Sequence, residues 1–133
     1  MPTDAKEILR THPSASAPSD ELLRCVEECF ACAQSCTACA DACLAEDGVD
    51  DLRACIRTNL DCADVCLATG RVASRRTASD AETLRAVVEA CALTCAACAS
   101  ECESHASHHE HCRVCAEACR RCEAACREYL RSL

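Results

Sequence analysis

Residues 25–43 read CVEECFACAQSCTACADAC, which places cysteines at Cys25, Cys29, Cys32, Cys36, Cys39 and Cys43. The gaps run 4-3-4-3-4, the 3.5-residue seam along which helices pack, with thiols where leucine or isoleucine normally stands. The same phasing recurs further along the chain. Cys91, Cys95, Cys98 and Cys102 make a stripe that Leu84 and Val87 extend backwards. Cys112, Cys115, Cys119, Cys122 and Cys126 make another, running on to Tyr129. A sparser stripe holds Cys55, Cys62 and Cys66, with Asn59 in the missing position. Charged residues such as Arg24, Glu27, Glu28, Arg53, Glu117 and Arg120 avoid these stripes, so the thiol faces are expected to point inward.

The helical patterns span about 19–46, 50–74, 80–104 and 107–131. Asp47-Gly48 reads as a glycine stop to the first, and Ser79 with Glu82 and Ser107 with Glu110 as capping boxes. Links this short join antiparallel neighbours. The expected fold class is therefore all-α, an antiparallel up-down four-helix bundle. Ahead of it, residues 4–11 suit a short amphipathic helix capped by Thr3, and His12 to Pro18 read as a linker whose prolines cannot sustain a helix. That divides the chain into a short N-terminal helix and linker, 1–18, and a bundle with a cysteine-lined core, 19–133.

Of 133 residues 18 are cysteine, about one in seven, while Phe30 and Tyr129 are the only aromatics besides histidine. Such small side chains bury little area, so ordinary hydrophobic stability is expected to be thin. A net charge of −8 argues against nucleic acid or an anionic membrane as partner. No run of residues approaches 18 that are all apolar, so no membrane span is expected. The first ten residues carry no apolar signal core and no twin arginine, which points to the cytoplasm. In a reducing compartment abundant cysteine means metal or redox chemistry before a disulfide framework.

Eight cysteine pairs stand four residues apart: 25/29, 32/36, 39/43, 62/66, 91/95, 98/102, 115/119 and 122/126. On a helix such partners lie one turn apart and can bracket one soft ion. The three-residue steps between pairs let neighbouring sites share sulfurs. Buried four-thiolate zinc sites would each carry −2 with no cation on the seam, and iron–sulfur motifs favour loop-borne cysteines. Cu(I) is soft and monovalent, and it accepts two- or three-coordinate thiolate sites. One such ion per thiolate leaves the interior nearly neutral, so charge balance favours a store of many Cu(I) ions. A thiol redox buffer or sensor, and a zinc or mixed-metal sink, are the alternatives. No nucleophile–base pair or phosphate loop suggests an enzyme.

With phased pairs on four helices and histidines at one end, the chain resembles the cytosolic four-helix-bundle copper storage proteins over about 19–131. The resemblance implies Cu(I) held by inward-facing cysteines and loading through one end of each bundle. It also implies a homotetramer and exchange with a cytosolic copper chaperone.

His105, His108, His109 and His111 cluster at the link between the third and fourth long helices. That end should also hold Cys43, Leu52 and Cys55, whereas Leu22, Val26, Leu84, Val87, Tyr129 and Leu130 should plug the other. Metal is therefore expected to enter at the histidine end. His105 follows Cys102 by three residues and His109 precedes Cys112 by three, so these two are the expected entrance ligands. His108, four residues before Cys112, ranks second; His111 flanks the seam and reads as solvated, and His12 as inert. Asn59 is either a hydrogen-bonded register device or an aid to transfer near the entrance.

Overall fold

Ser19 starts the first long helix: extended at φ −70°, ψ 156°, it accepts a hydrogen bond from the Leu22 backbone N–H, with Asp20 and Glu21 in the first turn facing the helix dipole. In the computed structural model, which describes residues 4–13 and 15–133, five α-helices follow in order. They are α1 (Ala5–Arg10), α2 (Asp20–Leu44), α3 (Arg53–Ser74), α4 (Ala81–Glu103) and α5 (Glu110–Ser132), with a 3₁₀ turn at Val49–Leu52 leading into α3. Among the described residues there is no strand.

Each long helix packs on two neighbours, α2 and α4 both lying against α3 and α5. The thiol contacts show the antiparallel sense. Moving up α2, Cys25, Cys32, Cys36 and Cys39 meet Cys126, Cys119, Cys115 and Cys112, descending along α5. Moving up α3, Cys55, Asn59, Cys62 and Cys66 meet Cys102, Cys98, Cys95 and Cys91. The fold is the expected up-down four-helix bundle with a short N-terminal helix.

Several local expectations are corrected. Asp80, not Ser79, caps α4, its carboxylate accepting from the Thr83 N–H at 2.9 Å. His109 stands at the N-cap of α5 with no side-chain cap bond, so the Ser107–Glu110 box does not form. Gly48 has φ −89° and leads into the 3₁₀ turn, so it is not a left-handed stop; among the described residues Ala78 has the positive φ, at 53°. Asp4 precedes α1, and the expected cap Thr3 lies outside the described residues. Val88 rather than Val87 is fully buried.

The end formed by the start of α2 and the finish of α5 is closed by Leu22, Val26 and Tyr129, with Leu84 and Leu130 packed against them. Leu9 of α1 joins this core. Near the end of α3, toward this closed end, Gly70 lets α2 come close: a Cβ there would stand 2.9 Å from Phe30 Cζ. Helix α4 is long and apolar enough to cross a membrane by length and composition, an 18-residue stretch of it having a mean hydropathy of 1.3. That hydropathy comes largely from alanine and from Cys91, Cys95, Cys98 and Cys102, which the bundle buries, while Arg85 and Glu89 on the same helix are exposed.

Candidate metal centre

Seams of alternating three- and four-residue steps bring every cysteine to one interior axis. All eighteen are unbridged and buried, none more than 3% exposed. Apart from the position Asn59 takes, the sulfurs form a ladder. At the sealed end Cys25 lies 3.8 Å from Cys126. Next, Cys29 contacts Cys91 and Cys122 at 3.8 and 3.9 Å, and Cys66 contacts Cys95 at 3.5 Å. In mid-shaft, Cys32 and Cys36 lie 3.7 and 3.5 Å from Cys119. Nearer the other end, Cys55 meets Cys102 at 3.8 Å and Cys39 meets Cys112 at 4.0 Å.

These contacts gather into groups whose sulfurs all lie within 4.8 Å of one another: Cys29, Cys91, Cys122 and Cys126; Cys32, Cys66, Cys95 and Cys122; Cys32, Cys36, Cys62 and Cys119; Cys36, Cys98, Cys115 and Cys119. Successive groups share members, Cys122 joining the first two, Cys32 the next, and Cys36 with Cys119 the last. A shared sulfur can bridge two soft ions, so the arrangement suits a string of bridged sites better than isolated ones.

Asn59 interrupts the thiol lining and is itself fully buried. Its Oδ1 accepts from the thiols of Cys98 and Cys115, each at 3.1 Å, and from Cys102 at 3.6 Å, while its Nδ2 donates to Cys55 Sγ at 3.4 Å. Both ends of the amide are thus satisfied by sulfur, which ties α3 to α4 and α5 in one register.

Beyond Cys39 and Cys43 the lining changes. His111 Nδ1 lies 3.3 Å from Cys39 Sγ and 3.7 Å from Cys112 Sγ, and Cys39, Cys43, His111 and Cys112 form one further four-ligand group. Glu46, past the end of α2, holds His111 Nε2 and His109 Nδ1 on a single oxygen, each at 2.9 Å. His105 Nε2 lies 2.9 Å from Glu101 one turn back, and His108 is exposed. The structure therefore brings His111, expected to be solvated, onto the thiols, and sets the expected entrance residues His105 and His109 against carboxylates. His111 precedes Cys115 by four residues, a spacing that could have singled it out. No sequence signal pointed to Glu46.

Burial, then the neighbouring Cys55, pushes the Cys43 thiol up to about 11, and burial raises Cys112 as well. Deeper in, contact with Cys115 first, then Cys119 and Cys32, raises Cys36, whereas contact with Cys119 first, then Cys122 and Cys36, lowers Cys32, so one thiol of such a cluster gives up its proton early and its neighbour late. The hydrogen bond from His111, with the charge and bond of His109, holds the Glu46 carboxyl below the usual carboxylate range.

A family model described as Csp, copper storage protein, matches residues 18–131. No curated protein matches the chain. Among solved structures, the copper storage protein Ccsp from Streptomyces lividans loaded with 10 copper equivalents is 59% identical, at TM-score 0.93 over 97% of this chain and 99% of that one. A cytosolic copper storage protein from the same organism, with five coppers, is 63% identical, at TM-score 0.85 over 86% and 95% of the two chains. A variant of Ccsp with two histidines replaced by alanine is 61% identical, at TM-score 0.85 over 86% and 96%.

Proposed function

This chain belongs to the copper storage protein family, and on that premise we propose how its residues take up and hold the metal. The eighteen cysteines are the ligands, binding Cu(I) as thiolates and releasing protons as they load. His111 receives the ion at the mouth, with His109 and His105 lining the approach, and passes it to Cys39, Cys43 and Cys112. The opposite end, closed by Leu22, Val26 and Tyr129, takes no part in transfer.

The observation that carries this reading is the sharing of sulfurs between successive four-thiol groups. Discrete Zn²⁺ sites would each want four thiolates of their own. A ladder of shared sulfurs instead suits a filling approaching one monovalent ion per thiolate. Burial of all eighteen thiols also argues against a redox sensor, whose cysteines must be accessible. The role is that of a binder and store in the cytoplasm, consistent with the cytosolic relative.

A homotetramer and exchange with a cytosolic copper chaperone complete the proposal. Exposed Leu44, Leu60, Leu67, Leu93 and Val114 support the first by leaving apolar surface on the bundle exterior; light scattering on the purified protein reads the assembly. The function itself is tested by competition. Reduced protein loaded with Cu(I) under anaerobic conditions is challenged with excess Zn²⁺. Retention of copper is expected; displacement by zinc would make the core a zinc sink.

A further inference from the structure

An ionised carboxylate can only accept hydrogen bonds. The two ring nitrogens that Glu46 Oε2 holds at 2.9 Å, His111 Nε2 and His109 Nδ1, must therefore be the N–H donors. In the neutral ring this leaves His111 Nδ1 as the lone pair, the atom 3.3 Å from Cys39 Sγ and 3.7 Å from Cys112 Sγ. Without Glu46 only the two thiols would bear on the tautomer, and since a thiol can donate to a ring nitrogen or accept from it, the ring could turn its N–H toward them and its lone pair to solvent. Glu46 also fastens the α4–α5 link, through His109, to the end of α2. The two rings stand 5.7 Å apart across this clasp. The carboxylate is one-third exposed, at the rim and outside the thiol lining.

We propose that Glu46 is the positioning residue of the mouth: it fixes His111 as the Nε2–H tautomer, so that Nδ1 faces inward to accept Cu(I) and deliver it to Cys39, Cys43 and Cys112. This rests on the reading that metal enters at the histidine end. A carboxylate behind a metal-binding imidazole orients the ring and raises its basicity, and losing such a partner typically costs ten- to a hundredfold in affinity or activity. Glu46 makes no contact with the deep thiols, so its effect falls on the rate of uptake and not on how much the core holds.

The test follows transfer from the Cu(I)–bicinchoninate complex to reduced protein by stopped flow, with final capacity read from the same traces and ring tautomers by ¹⁵N NMR of the metal-free protein. Glu46→Ala is expected to slow uptake about tenfold at unchanged capacity and to mix the His111 tautomers. Glu46→Gln, which keeps an acceptor oxygen but loses the charge, is expected to recover most of the rate. Unchanged rate and tautomer in Glu46→Ala overturn the inference. So does a Glu46→Gln variant as slow as Glu46→Ala, since charge alone would then be acting. His111→Ala separates the two readings. If it loads at the native rate, the mouth itself is misplaced; if it is slow while Glu46→Ala is not, only the assignment of Glu46 falls.

Discussion

The two ends of the bundle hold the same kind of thiol pair in opposite surroundings. Cys25 and Cys126 sit beneath Leu22, Val26 and Tyr129, with Leu9 of α1 joining the same core. Cys39 and Cys112 sit beneath His111, with Glu46 and His109 partly open to water above it. One end spends its residues on burial and the other on polar groups that can exchange ligands. With uptake at the histidine end, as proposed, stability and transfer are separated along the axis, so each can be disturbed without the other.

The largest effect expected is that of the metal on the shaft between the ends. Ligand at a thousand times its dissociation constant adds about 4 kcal/mol even for one site, so saturating Cu(I) should raise the melting temperature by more than about 10 °C. Anaerobic circular-dichroism melts with and without Cu(I) check this. Next comes the sealed end: Leu22→Ala should cost about 2–3 kcal/mol in the metal-free protein while leaving the uptake rate unchanged. Slowed uptake in that variant would erase the distinction between the ends.

A smaller effect comes from the thiols at the mouth. Cys43 is raised from 9.0 to about 11 in the folded chain, so above pH 9 the unfolded chain loses this proton while the folded chain keeps it. The contribution of Cys43 to the stability of the metal-free protein is therefore complete below pH 9 and is lost between 9 and 11. The loaded protein, with no thiol proton left to lose, should stay flat across that window; melts at several pH values compare them. The smallest effect is at the sealed-end link. Ala78 has φ 53°, and Ala78→Gly should stabilise by up to about 1 kcal/mol with no change in copper uptake.

The fold was legible because the cysteines carry helical phase without ambiguity, and the sealed end because Leu22, Val26 and Tyr129 continue that phase. The mouth was not, and the reason is physical. Counting residues along a helix is valid only while the helix lasts. Helix α4 stops at Glu103 and α5 begins at Glu110, with His109 extended at φ −136°. Three- and four-residue spacings that cross this link, such as His109 or His108 to Cys112, no longer place side chains on a shared face. His111 lies inside α5, where its four-residue spacing to Cys115 does hold. Glu46 lay beyond reach because its role depends on the end of α2 arriving beside the α4–α5 link, a tertiary meeting that no local pattern encodes. The caps failed on a finer scale, Asp80 replacing its neighbour Ser79.

The central claim is that shared sulfurs along one axis hold many monovalent ions. Its most direct test is an anaerobic titration of the fully reduced protein with Cu(I) in the presence of a coloured Cu(I) chelator. The account expects copper to be withheld from the chelator until the number bound per chain is of the order of the eighteen thiols. Saturation at roughly four or five ions, the number that separate four-thiolate sites would allow, would contradict it.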